Sequence, residues 1–200
     1  MSFVQPIETL INGFCRLPSV GRRPAERVVY HLLKSGKKDV AELTLALKNL
    51  IEKVKSCETC WDFSDTNPCR ICANQDRDAS LVCVVAETQD LRAIEKTGLY
   101  RGRYHILRGT INVEDENTLN SLKIKELLQR LSPGSVKEII LALNPDLRGE
   151  TTMMFLEKKI RGISSELIIS RLARGLPMGS DLKYADEITL GSALKHRNKI

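Results

Sequence analysis

Cys57 and Cys60, then Cys69 and Cys72, form two Cys-x-x-Cys pairs separated by eight residues. Each pair can offer two thiolates to one ion from a single tight turn, and the stretch from Asp62 to Pro68 returns the chain with the second pair. That is the donor set of tetrahedral zinc. Two disulfides or a redox dithiol are the competing readings of such spacing. The N-terminus, however, reads as an amphipathic helix and not as a signal peptide, and no apolar run reaches membrane-spanning length. Both features point to a reducing, cytoplasmic setting, where paired cysteines hold metal. With four sulfur ligands no position is left for water or substrate, so the ion would stabilise a small module rather than catalyse. Cys15 and Cys83 sit on apolar stretches and read as core residues.

A second group is cationic. Arg22, Arg23 and Arg27 follow the break Leu17-Pro18-Ser19-Val20-Gly21, and Pro24 suits the first turn of a helix. Two helices joined by such a turn can bind duplex DNA without reading its sequence. Backbone N–H groups at the Gly-containing turn and at the second helix's start face phosphate oxygens, and the arginines add charge. Two core helices joined by a convenient turn are the plainer alternative.

A third group is acidic. Glu87 and Asp90 follow one apolar strand, Glu114, Asp115 and Glu116 a second, and Asp146 and Glu150 a third. Open parallel sheets present their functional loops at the carboxyl ends of strands, so these acids could converge on magnesium. Solvated loop carboxylates are the reading favoured on residue type alone.

The elements that must position these groups follow from periodicity. Val4, Ile7, Leu10, Ile11 and Phe14 keep one helix face, ended by Pro18, and Ala25, Val28, Val29, Leu32 and Leu33 keep another. A third helix is expected from Val40 to Val54, with Asp39 as its N-cap. Beyond the cysteines, strands are expected at Leu81–Ala86, Tyr104–Leu107, Glu138–Leu143 and Glu166–Ser170. Helices near Asp90–Lys96, Leu122–Leu131 and Thr152–Ile160 alternate with them, as in a mostly parallel sheet. No repeat or low-complexity linker separates the modules. The net charge is +6, and residues 1–56 hold ten Lys or Arg against five Asp or Glu, a basic end that suits a phosphate-rich partner. Lys195, Arg197 and Lys199 add a small basic cluster at the other end. Aromatic content of 4% argues against single-strand binding by base stacking, and no Walker A loop is present.

The order of these features resembles the RecR family of bacterial recombination mediators from end to end. The resemblance is carried by Leu17-Pro18 with Gly21, the four cysteines, Cys83-Val84-Val85, Thr97-Gly98, Gly102-Arg103-Tyr104, Asn144-Pro145, Gly149-Glu150-Thr151-Thr152, Gly175-Leu176-Pro177-Met178-Gly179 and Leu182-Lys183-Tyr184-Ala185-Asp186. It implies an α+β multi-module chain: a helix-hairpin-helix region at 1–56, a four-cysteine zinc motif at 57–72, a Toprim-type α/β domain at 80–175 and a C-terminal, oligomerising segment at 176–200. It further implies a nucleoid-associated homotetramer able to encircle DNA, and no catalysis. With RecO, and RecF as a further partner, such a protein helps load RecA at gaps in DNA coated by single-strand binding protein. The family's DNA-contacting positions fall on Arg23 and Arg27, beside Arg22 and Gly21, and its zinc ligands on Cys57, Cys60, Cys69 and Cys72. Glu87, Asp115, Asp146 and Glu150 fall where acids of the Toprim-type domain bind partners.

Three departures stand out. The hairpin's usual first glycine is Ser19, leaving Gly21 for a positive φ. The acid expected after Val85 is Ala86, with Glu87 displaced by one, and the acid expected before Gly149 is Arg148. A cation there opposes magnesium directly and weakens the alternative of a Toprim-type nuclease or strand-transfer enzyme. Arg148 is expected to pair with Asp146 or Glu87. A partner adaptor with no DNA contact is the remaining alternative.

Overall fold

Ile11, Ala25 and Val29 meet at the centre of the first of two compact units, Met1–Lys55 and Ser56–Ile200. The computed structural model describes residues 4–115, 117–131, 134–176 and 178–197; Glu116, Pro177 and Lys199 of the sequence motifs lie outside the described residues.

In the first unit α1 (Gln5–Phe14) and α2 (Arg22–Ser35) bury those three side chains, with Ile7, Phe14 and Val20 packed around them. Helix α1 ends at Phe14, ahead of the expected stop at Pro18, and Cys15 is exposed instead of lying in the core. The left-handed turn residue is Ser19 (φ 63°), whereas Gly21 is extended (φ −80°) and serves as the N-cap of α2. The positive φ therefore falls where the family pattern has glycine, and a serine there carries strain of about 1 kcal/mol. Helix α3 (Lys37–Lys53) starts after Gly36 (φ 93°), placing Asp39 inside its first turn and not at its cap. None of its described residues is buried; Leu43, Leu47 and Leu50 are exposed.

After α3 the chain forms a short ribbon, β1 (Lys55–Ser56) with β2 (Phe63–Ser64), and a single turn, α4 (Arg70–Ala73). There follow β3 (Asp78–Val85), α5 (Thr88–Glu95), β4 (Gly102–Ile106), α6 (Thr118–Ser121), α7 (Ile124–Leu131), β5 (Glu138–Ala142), α8 (Leu147–Arg161) and β6 (Ile168–Arg171). A 3-10 turn, Leu182–Tyr184, and α9 (Glu187–Lys195) close the described chain. The four longer strands form one sheet in the order β4-β3-β5-β6, every pair parallel, as the alternating pattern required. Helix α8 starts five residues before the expected Thr152, because Asp146 caps it by accepting the Gly149 N–H (2.7 Å).

Alternation along β3 divides the core. Val82 and Val84 face α7 and α8, where they pack with Leu127, Ile139, Leu141, Leu156 and Ile160. Cys83 and Val85 face the other way, with Tyr104, Ile106, Ala142 and Leu91 of α5. The rest of that second face is filled by the four cysteines. The zinc module thus takes the place of a covering helix.

His105, on β4, is fully buried, and its Nε2 lies 2.7 Å from the Lys123 carbonyl. Burial pushes its pKa down from 6.5 to about 4, so the ring is neutral and Nε2–H donates. A depressed folded-state pKa gives stability that is complete above the unfolded value and lost as pH falls through the folded one. Between pH about 6.5 and about 4 this group should remove about 3 kcal/mol. Urea midpoints at pH 7 and pH 4.5 should converge in His105→Gln relative to the parent chain; an unchanged acid limb would contradict the assignment.

Candidate zinc centre and nucleic-acid interface

The first cysteine pair sits in a turn closed twice: the Trp61 N–H donates to the Cys57 carbonyl and the Cys57 N–H to the Asp62 carbonyl, both at 2.8 Å. A left-handed Trp61 (φ 66°) lets the chain reverse after Cys60. The second pair brackets α4, with Cys69 at its N-cap and the Cys69 N–H pointing at the Cys57 sulfur (3.3 Å). All four cysteines are buried, and their Sγ atoms lie within 4.8 Å of one another. Tetrahedral Zn–S bonds of about 2.3 Å require sulfurs about 3.8 Å apart, so the cage has the right size. The Cys60 and Cys69 sulfurs are 3.5 Å apart. That contact drives the Cys60 thiol far above the ordinary range and the Cys69 thiol far below it, so the group is suited to exchange its protons for one cation. These cysteines are the ligand set of a structural zinc.

The module is tied to the sheet by directed bonds. The Ile106 N–H donates to the Cys60 carbonyl (2.8 Å), and Thr88 Oγ1 donates to Oδ1 of the buried Asp62 (2.8 Å). Arg108 Nε donates to the Trp61 carbonyl (2.8 Å) and its Nη2 to the Ser56 hydroxyl (2.9 Å), with the guanidinium 3.5 Å above the Phe63 ring centroid. Arg130 Nη1 donates to the carbonyls of Tyr104 (2.6 Å) and Thr59 (3.3 Å). Burial lowers the pKa of both guanidiniums; the sulfurs of Cys72 and Cys60 oppose this at Arg130, and Asp62 and Cys60 oppose it at Arg108. Sequence reasoning passed over Asp62, Arg108 and Arg130, whose partners lie too far along the chain to leave a local pattern.

The acids do not assemble as a metal site. Among the described residues the four cysteines form the one group of three or more candidate ligands brought together closely enough for a metal. Asp115 accepts the Asn117 N–H (3.0 Å) in the loop after β4, and Glu87 stands exposed at the start of α5, where Asp90 accepts its N–H (3.0 Å). Asp90, Asp146 and Glu150 do line one cavity of about 920 Å3 at the carboxyl ends of the strands, together with Arg171, Arg174 and Asp186. Glu150 there meets Arg174 directly and Arg171 at 3.7 Å. Arg148, expected to pair with Asp146 or Glu87, is exposed and makes neither ion pair; Arg171 and Arg174 supply the cations instead.

Gly149 explains why α8 starts as it does. A Cβ at this position would run into the backbone carbonyl of Asn144. Gly149→Ala is expected to cost about 3 kcal/mol, and the thermal midpoint should fall by about 6–12 °C. A loss under about 1 kcal/mol would mean the loop yields easily.

On α2, Arg23 and Arg27 share a face with Tyr30, His31 and Lys34 along a shallow surface. Lys34 and His31 extend the arginine stripe by further helical turns, a spacing legible in the sequence though not singled out there. Arg22 is turned aside: its two Nη atoms bond both Glu8 carboxylate oxygens at 2.9 Å, and Nε lies 3.2 Å from Glu26. That pairing holds Glu8 below the usual carboxylate range and clamps α1 to α2.

Family comparisons settle where this arrangement belongs. Residues 7–51 match the RecR helix-hairpin-helix model, 54–74 the RecR four-cysteine zinc finger domain, 80–173 the Toprim domain and 175–198 the RecR C-terminal model. Recombination protein RecR of Moorella thermoacetica is 42% identical over 200 residues, covering 100% of both chains. The chain belongs to the RecR family. RecR of Gloeobacter violaceus is 42% identical over 99% of this chain and 100% of its own, and RecR of Streptomyces coelicolor 44% over 96% and 95%. RecR membership carries with it the main functional reading, a recombination mediator, and the match to the family's zinc finger agrees with the sulfur cage.

Proposed function

We propose that this chain is a non-catalytic recombination mediator that grips the backbone of duplex DNA through α2. The observation that carries the reading is the stripe of Arg23, Arg27 and Lys34 on the second helix of a RecR-type hairpin. Arg22, held by Glu8, contributes to the hairpin's shape first and to the phosphate field second. Gly21 supplies the start of α2 as its N-cap, with no side-chain cap hydrogen bond. In this reading residues 1–56 bind DNA, residues 57–72 hold zinc, residues 80–175 recruit RecO and RecF, and residues 176–200 assemble subunits into a tetramer. Partner recruitment falls to the exposed Glu87, Asp115 and Asp146, with Glu150 in the cavity that Asp146 also lines. The product is RecA loading at gaps in DNA coated by single-strand binding protein, in the cytoplasm at the nucleoid. No described helix is long and apolar enough to cross a membrane.

A magnesium nuclease is not favoured, because the Glu150 carboxylate already faces Arg171 and Arg174. Light scattering of the full chain, alone and with a short duplex across a salt series, tests the proposal. A mass near four chains with salt-sensitive binding supports it, and a monomer that ignores duplex at every salt concentration overturns it.

A further inference from the structure

Arg108 and Arg130 are half-buried, and neither meets a carboxylate within ion-pair distance among the described residues. Taking a cation out of water without a counterion is costly. Arg103, a like charge close to Arg130, adds to that cost. Asp62 answers part of that cost at Arg108 together with Cys60, and at Arg130 the sulfurs of Cys72 and Cys60 lead the opposing charge.

Both guanidiniums point at the same object. Arg108 bonds the carbonyl of Trp61 and the hydroxyl of Ser56, while Arg130 bonds the carbonyl of Thr59. These residues are the immediate neighbours of Cys57 and Cys60. Four thiolates outweigh one divalent cation, so a zinc ion in this cage leaves a net negative, buried centre. A cation approaching from the strand β4 side and another from helix α7 would answer that charge. Hydrogen bonds to the carbonyls hold both in place.

We infer that Arg108 and Arg130 are the built-in countercharge of the zinc–thiolate centre and set how tightly the chain holds its metal. The inference rests on the four cysteines binding zinc. It makes the two arginines positioning residues, acting on the metal through the field they create and through the loop carbonyls they fix.

The test uses the full chain loaded with zinc. Metal content of the parent protein is measured first, then zinc affinity by competition with a chromogenic chelator. Arg108→Gln and Arg130→Gln are each expected to weaken zinc binding about 10-fold, and the double variant about 100-fold. Arg108→Lys keeps the charge without the planar fork and should retain most of the affinity lost in Arg108→Gln. Thermal midpoints are taken with and without metal. A purely structural role would lower both alike, whereas the inference requires the zinc-loaded form to lose more. If Arg130→Gln fails to fold, the Arg108 pair of variants decides, since that guanidinium lies nearer the surface. A parent chain that holds no zinc overturns the zinc reading itself. A parent that holds zinc, with both Gln variants binding it equally tightly, overturns the countercharge alone.

Discussion

Stripping zinc from the chain should lower its thermal midpoint by about 10 °C or more, and Cys72→Ser should do nearly the same with zinc present. The size of the effect follows from where the cysteines sit. They belong to one buried cluster with Val85, Leu91, Tyr104 and Ile106, so the module is one covering layer of the sheet and not a finger at its edge. Without the ion, four sulfurs crowded within 4.8 Å must take up protons and separate, and the sheet face beneath them loses its packing. An apolar cluster of this kind opening to water, together with an unsatisfied Asp62, accounts for a loss of about 5 kcal/mol. The readouts are metal content, thermal midpoint and the near-ultraviolet signal of Tyr104, which is fully buried in the same cluster. A midpoint that does not move after verified metal removal would show that the module folds, and fails, on its own.

The same packing shows which levels of organisation a sequence exposes. The cysteine cage was legible because its ligands are local, and the sheet because β3 and β5 are apolar runs buried on both faces. Features that depend on a single backbone angle were not. Residue type alone assigns the positive φ of the hairpin to Gly21, yet the chain places it at Ser19, three residues before the helix begins at Arg22. The start of α8 was hidden for a related reason. Asp146-Leu147-Arg148-Gly149 lacks apolar periodicity, and its helix is secured by one cap hydrogen bond and a close approach of Gly149 to Asn144.

Long-range pairing was the least legible level. Arg108 reaches a carbonyl 47 residues away and Arg130 one 71 residues away, separations at which no spacing rule operates. Glu150 illustrates the consequence for function. Read along the chain it is an acid at a strand end, available to a metal or a partner; in the fold it already faces two arginines, one at the end of β6 and one just beyond it. An acid's chemistry depends on its neighbours in space, and these were set by topology.

Replacing Arg23 and Arg27 together by alanine should weaken duplex binding at least 10-fold at about 0.1 M salt and make what remains less sensitive to salt. Each phosphate contact adds about 0.9 to the slope of log affinity against log salt, so losing two contacts per subunit removes nearly 2 from it. In a multi-subunit assembly the loss multiplies, because every copy gives up the same pair. The two side chains are one helical turn apart on α2 and line the same surface as Lys34, so they can reach successive phosphates of one strand. Neither belongs to the buried Ile11, Ala25 and Val29 cluster, and the double variant should therefore keep its thermal midpoint. Arg22→Ala makes the informative contrast. Its guanidinium is bonded to both oxygens of Glu8, so its loss should loosen α1 from α2 and lower stability while changing the salt slope little. An unaltered slope in Arg23→Ala with Arg27→Ala would move the DNA contact off α2. A slope change seen only in Arg22→Ala would mean that Glu8 releases Arg22 when phosphate arrives.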